Sequence, residues 1–378
     1  MNLKSLLIGS AATIVAAPAA FAADVIIAEP EPVEYVEVCD VAGAGYFYIP
    51  GSRTCIQLSG LVRHELSYTD TRVVRTNLDD GRERIDVDQQ DGIRSLVRGE
   101  LNIRTFTETE LGDLTSFIRF RANDFNQDSL SIAGNAEDGE LNVQGLTING
   151  STFLNNATIG LGGLLMGLSD TLYDGGIAGE FDSFGGDRVH FISYTADLGA
   201  FSAALSLEAE RANRSNNDYV PNVVGKLSGD LGPFSADLFA AYDDDDDLPN
   251  VDDEFALKVI LGADFGPAGI DIGATYASGD SYYDNGYEWS VGASATFGLG
   301  EKASLTFGGQ YFANQLVGDE SVDDLDRYRI GANVDYEIVD GFDVKVAVTY
   351  DETEQFINTD EDESEGAFNG FIRFDRSF

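Results

Sequence analysis

From residue 56 to the C-terminus, apolar and polar side chains alternate in stretches of about ten residues, the period-2 signature of strands with two different faces. In residues 287–298, Trp289, Val291, Ala293, Ala295 and Phe297 share one face, and Glu288, Ser290, Ser294 and Thr296 share the other. In residues 302–313, Ala303, Leu305, Phe307, Gly309 and Tyr311 lie together. Very short turns such as Leu111-Gly112-Asp113, Asp197-Leu198-Gly199 and Val339-Asp340-Gly341 join the strands in pairs. Glycine supplies the positive φ that such turns need. Longer, mostly acidic segments lead from one pair to the next, at roughly 69–94, 126–151, 174–187, 211–219, 243–253, 280–286, 314–325 and 352–366. The pattern predicts sixteen strands, at about 56–68, 95–109, 113–125, 152–161, 164–173, 188–197, 200–210, 220–230, 233–242, 254–265, 269–279, 287–298, 302–313, 326–338, 342–351 and 367–378.

The strand count is even, and short turns alternate strictly with long loops, so all the short turns fall on one side. A soluble sandwich would mix its loop lengths and turn polar faces outward. Here nearly every strand has one apolar or aromatic face and one polar face, as in a closed barrel whose outside meets lipid and whose inside is wet. Strands of this length, tilted, are long enough to cross a bilayer. The fold class is therefore all-β: a transmembrane antiparallel β-barrel of 16 strands, with short periplasmic turns and long extracellular loops. Aromatics at strand ends, including Tyr276, Tyr282, Tyr283, Tyr311 and Phe312, suggest a girdle at the membrane interface.

Composition agrees with this architecture and removes other classes. The chain of 378 residues carries a formal net charge of −43, which repels nucleic acid. With 43% hydrophobic residues it is not a disordered chain. Residues 1–22 read as a signal peptide: Lys4, an apolar stretch from Leu6 to Ala17, and the small-residue pattern Ala20-Phe21-Ala22. Residues 23–55 form a periplasmic lead-in and 56–378 the barrel. After the leader no apolar run is long enough for a spanning helix. Two cysteines, Cys39 and Cys55, suggest one disulfide in an oxidising compartment.

The chain resembles the alphaproteobacterial porin family at both ends. The start carries Ala28-Glu29-Pro30-Glu31-Pro32-Val33-Glu34-Tyr35-Val36, Val38-Cys39-Asp40, Gly43-Ala44-Gly45-Tyr46-Phe47-Tyr48-Ile49-Pro50-Gly51 and Thr54-Cys55. The end carries Gly370-Phe371-Ile372-Arg373-Phe374-Asp375-Arg376-Ser377-Phe378. The middle is similar in plan more than in residues. The resemblance implies a sixteen-stranded general-diffusion channel, usually a homotrimer in outer-membrane lipid and lipopolysaccharide, passing small hydrophilic solutes. It also implies that Phe378 is the assembly signal read by the barrel-assembly machinery, and that the third long loop folds inward.

Parity names the side chains that face the lumen. On the first strand Leu58, Gly60 and Val62 suit lipid, which turns Gln57, Arg63 and Glu65 inward. On the second, Arg98, Glu100, Asn102 and Arg104 point inward, and on the third, Arg119 and Arg121. A charge on the lipid face near mid-bilayer would cost about 2–4 kcal/mol, which favours this placement. Against these five arginines the inward loop, 174–187, would set Asp174, Glu180, Asp182 and Asp187. The expected constriction is thus a transverse field between basic wall and acidic loop. The acidic runs Asp243–Asp247 and Asp360-Glu361-Asp362-Glu363 read as solvated loop tips without a metal-binding spacing. Net charge alone then predicts a mild preference for cations. No nucleophile motif accompanies His64 or His190, so the chain reads as a non-enzyme without metal or cofactor. The competing readings are a solute-selective uptake channel and a structural barrel plugged by the lead-in.

Overall fold

The computed structural model describes residues 37–69, 73–77, 83–87, 92–125, 129–132, 143–147, 151–210, 220–244, 254–279, 281–283, 285–317, 320–322, 325–355 and 363–378. Sixteen strands form one closed antiparallel barrel. The first eight are β1 (Cys55–Thr69), β2 (Gly92–Thr109), β3 (Gly112–Phe125), β4 (Ser151–Leu161), β5 (Leu164–Asp170), β6 (Arg188–Asp197), β7 (Phe201–Glu210) and β8 (Asn222–Leu231). The remainder are β9 (Phe234–Asp243), β10 (Glu254–Phe265), β11 (Ala268–Ala277), β12 (Tyr287–Gly298), β13 (Ala303–Val317), β14 (Arg327–Val339), β15 (Phe342–Gln355) and β16 (Glu363–Ser377). Each pairs with its sequence neighbour, and β16 closes on β1 in register from Leu61↔Ser377 to Thr69↔Asn369. Phe378 extends that seam: its N–H donates to the Gly60 carbonyl at 3.1 Å, and the Gly60 N–H donates to the Phe378 carbonyl at 2.8 Å. Closure leaves no barrel edge unpaired, which a bilayer demands.

The burial pattern is that of a soluble protein turned inside out. Outward positions such as Leu58, Val62, Leu101, Leu205, Leu238, Leu261 and Val348 are exposed, while inward Ser206, Glu208, Ser290, Thr306, Gln310 and Asn333 are buried. Aromatics ring the outside at two levels. Phe255 with Tyr276, Trp289 with Tyr311, and Tyr350 with Tyr328 and Phe368 stand near the long-loop ends. Phe234 with Phe265, Phe297 with Phe307, and Phe342 with Phe374 stand near the short turns.

Several expected features differ. Tyr283 and Phe312 are buried rather than part of the girdle, and Tyr282 hydrogen-bonds the Arg188 carbonyl at 3.1 Å. Strand β5 stops at Asp170, because Thr171 already belongs to the following loop, its N–H bonded to the Asp187 carbonyl at 2.9 Å. Strands β15 and β16 run longer, staying paired out to Gln355↔Glu363. Asp243 and Asp244 are buried, not solvated: the Asp243 carboxylate accepts from the Tyr282 N–H at 2.6 Å. The rest of that acidic run, the residues 360–362 and the leader 1–22 lie outside the described residues. Cys39 and Cys55 form the expected disulfide. Two further hairpins, Val73–Asn77 with Glu83–Val87 and Ser129–Ile132 with Val143–Thr147, occur within long loops.

Candidate pore constriction

The loop after β5 turns into the barrel because its own sequence has an apolar side and the facing wall has room for it. Phe181 and Phe184 are each 1% exposed. They rest on a groove of glycines contributed by four consecutive strands: Gly273, Gly292, Gly308 and Gly331. A Cβ at Gly273 would lie 2.5 Å from the Phe184 ring, and one at Gly308 would lie 2.7 Å from the Phe181 ring. The absent side chains are therefore what admit the rings. With Tyr173, Ile177, Phe239, Ile260 and Tyr283 they make a dry cluster inside one half of the lumen. Burying each phenyl ring contributes roughly 1.5–3 kcal/mol.

Polar groups fasten the same loop at its neck and along its path. The buried ammonium of Lys258, on β10, donates to the carbonyls of Tyr173, Gly175 and Phe184, joining the outgoing and returning arms. Its charge also lies 4.2 Å from the Tyr173 ring centroid and 4.6 Å from that of Phe239. The buried Glu208 carboxylate, on β7, accepts from the Thr171 hydroxyl, the Leu172 N–H at 2.9 Å and the Tyr283 hydroxyl at 3.1 Å. Burial and that neighbouring carboxylate hold the Tyr283 phenol well above its usual range. Farther along, the Ala178 N–H donates to Asp271 at 3.2 Å and the Ser183 N–H to Gln310 at 2.7 Å.

The four acids of the loop separate into different roles. Glu180 alone reaches across to basic wall residues, pairing with Lys345 at 2.8 Å and Arg373 at 3.2 Å. Asp174 and Asp182 turn back onto the loop, accepting from Gly186 N–H at 3.0 Å and Ile177 N–H at 2.8 Å. Asp187 accepts from the adjacent Arg188 N–H at 3.3 Å. Burial raises the Asp182 carboxyl above the ordinary carboxylate range, against the opposing hydrogen bond from Ile177. The docked loop thus holds a proton to higher pH than an undocked one would, so docking weakens as pH rises through that window. Asp182→Asn is expected to remove this dependence. Single-channel conductance against pH should differ between parent and variant just above pH ~4 and run parallel elsewhere.

Parity placed the wall arginines on the lumen side, and that is where they stand. Arg63 makes a two-point bond to Asp375 at 2.7 and 2.8 Å. Glu100 serves both Arg121, at 2.6 Å, and Arg119, at 3.5 Å. Among the described residues Arg98 bonds the amide oxygen of Asn123 at 2.8 Å, and Arg104 bonds that of Gln57 at 3.5 Å and lies 4.6 Å from the Phe117 ring centroid. The sequence reading stopped at the third strand and missed the basic residues of the last three: Lys345, Arg373, Arg327 and Arg329. The same parity argument would have found them. Arg327 and Arg329 share Asp351 at 2.6 and 2.7 Å, Arg373 also meets Glu65 at 2.6 Å and Lys345 meets Asp335 at 3.2 Å. In a wet lumen each such pair is worth about 0–1 kcal/mol; their consequence is the local field. His64 and His190 are both exposed, and His64 sits on the outward face, 3.1 Å from the Ser95 hydroxyl.

A closed barrel narrowed by an inward loop finds its counterpart in known sequences. The model of a porin subfamily matches residues 24–372. Porin Omp2b of Brucella neotomae is 34% identical over 402 residues, covering 100% of both chains. The chain belongs to the porin family. This porin is an outer-membrane diffusion channel. Its fold is shared with the outer membrane channel DcaP of Acinetobacter baumannii, at 17% identity and a TM-score of 0.63, over 88% of this chain and 99% of that one. A trimer form of OmpT of Vibrio cholerae aligns at 13% identity and a TM-score of 0.50, over 86% and 100%.

Proposed function

We propose that this porin passes small hydrophilic solutes passively, and that its narrowest section lies between the inward loop, residues 171–187, and the charged wall of β1–β3 and β14–β16. The observation that carries the reading is the docked loop itself. Two buried rings and one buried lysine hold it inside the barrel, with Glu180 at its tip turned to Lys345 and Arg373. The plugged-barrel alternative is disfavoured by the space beside that tip, a cavity of about 500 Å³ whose lining includes Ser67, Thr69, Glu180, Arg329, Asp351 and Asn369. Most of that lining is polar, with Tyr68, Ala347, Ala367 and Phe371 among the rest, and polar groups are what a hydrophilic solute path needs. The same reading makes the assembly a homotrimer in lipid and lipopolysaccharide, with Phe378 serving barrel assembly.

Excising residues 176–185 while keeping the bonded neck is expected to widen the channel. Conductance should rise, and liposomes carrying the variant should admit sugars too large for the parent. An unchanged size limit in a variant that still forms a barrel would refute the loop as constriction.

A further inference from the structure

Two different segments line the closing edge of β1. Strand β16 pairs with β1 from Leu61 to Thr69, and Phe378 continues the pairing to Gly60. Strand β1 begins earlier, at Cys55, and β2 pairs with its whole length on the other edge. Without a further partner, residues 55–59 would leave a bare strand edge, which invites pairing with other chains. The lead-in covers that place. Its two-residue strand Phe47–Tyr48 pairs Phe47↔Ile56 and Tyr48↔Cys55, and Val38 bridges to Phe47 behind it. The Gln57 side chain donates to the Ala44 carbonyl at 3.1 Å and so holds the turn before that strand. The Cys39–Cys55 disulfide, fully buried, ties the lead-in to the first residue of β1.

The point where β16 stops is shaped as well. A Cβ at Gly60 would lie 2.4 Å from the Phe378 ring, so the absent side chain is a seat for that ring. A slip of two residues keeps every side chain on its own face, and is therefore the error that alternation does not prevent. Sliding β16 by two toward the lead-in would carry Phe378 from Gly60 to Leu58, against the turn that Gln57 holds. Sliding it by four would carry Phe378 to Ile56, where Phe47 already stands. The ion pairs Arg63–Asp375 and Glu65–Arg373 favour the same register, but pairs in a wet lumen contribute little.

We propose that the lead-in, latched by Cys39–Cys55, is the stop that sets the register in which β16 closes the barrel. The order of events follows from chain entropy. The latch joins residues 16 positions apart, whereas the seam joins the two ends of the barrel. The shorter loop costs less entropy to close, so the stop is in place before β16 arrives.

The test folds the full chain from urea into lipid vesicles and reads the seam with paired cysteines, cross-linked by copper phenanthroline and mapped by mass spectrometry. Leu61→Cys with Ser377→Cys reports the native register, and Ser59→Cys with Ser377→Cys reports a slip of two. Opposed positions lie within disulfide reach, and positions two residues off do not. With the latch intact, the native pair is expected to form and the slipped pair to stay at background. In the Cys39→Ser with Cys55→Ser background, the slipped pair should rise by about tenfold or more, within the roughly hundredfold that closing a loop of this size supplies. Reducing the already closed parent barrel with dithiothreitol before cross-linking should leave the register unchanged, because the stop acts before the ladder forms. Slip in that sample too would make the disulfide a general staple and overturn the stop. A serine variant that shows only the native pair would also overturn it. Should the serine variant form no barrel, Gln57→Ala decides in its place, since it keeps the latch and frees the turn: slip in it supports the stop, and native pairing alone overturns it.

Discussion

Replacing Phe181 with alanine is expected to release the inward loop while leaving the barrel closed. The ring is 1% exposed and occupies the glycine groove between Gly308 and Gly331. Truncating a fully buried phenylalanine costs about 3–5 kcal/mol, or roughly two to four orders of magnitude in the ratio of docked to undocked loop. The cost falls on the loop, because no barrel ladder bond involves Phe181 and the strands behind it keep their pairing. Single channels of Phe181→Ala should show larger and noisier conductance steps than the parent. Parent-like conductance, with the variant verified as heat-modifiable barrel, would mean that the ring does not hold the loop.

The second large effect is expected at Lys258. Methionine there keeps much of the volume and loses the ammonium that joins the carbonyls of Tyr173, Gly175 and Phe184. Two contributions oppose each other. Removing a buried charge recovers a desolvation penalty of several kcal/mol, whereas each stranded carbonyl costs about 1–3 kcal/mol. The second wins in the docked loop, because three acceptors lose one shared donor inside an apolar cluster. They regain partners only when the loop opens to water. Lys258→Met should therefore become cleavable by protease within residues 171–187, at concentrations that leave the parent intact. Equal resistance in both proteins would show that aromatic packing alone retains the loop.

The faces of the strands were legible because they are a local property. Alternation at period two, together with the cost of a charge in lipid, placed Arg98, Arg104, Arg119 and Arg121 on the lumen side from a dozen residues at a time. The loop's docking was not legible. Phe181 and Phe184 read as loop residues, and Gly273, Gly292, Gly308 and Gly331 read as gaps in four separate strands. Nothing nearby in sequence says that these gaps align. The register Gly273↔Gly292 and Gly308↔Gly331 makes them one groove, and barrel closure sets that groove opposite the loop. Tyr282 and Tyr283 were misread for a related reason. Aromatics at strand ends fit an interface belt by composition, but these two turn inward to bond Asp243, Arg188 and Glu208.

Charge shows the same division most sharply. The excess of acids over bases is plain in the chain and points toward cations. The bases, however, are gathered on the wall of β1–β3 and β14–β16, and some pair with acids distant in sequence: Arg63 and Asp375 are 312 positions apart. The sequence by itself determined strand number, facing and the side on which the turns lie, since each depends on residues within one hairpin. The tertiary structure alone decided which acids balance Arg63 and Arg373 across the barrel seam and the inward loop, and which glycines receive the rings. Those outcomes depend on what closure brings across the barrel, and no local pattern records it.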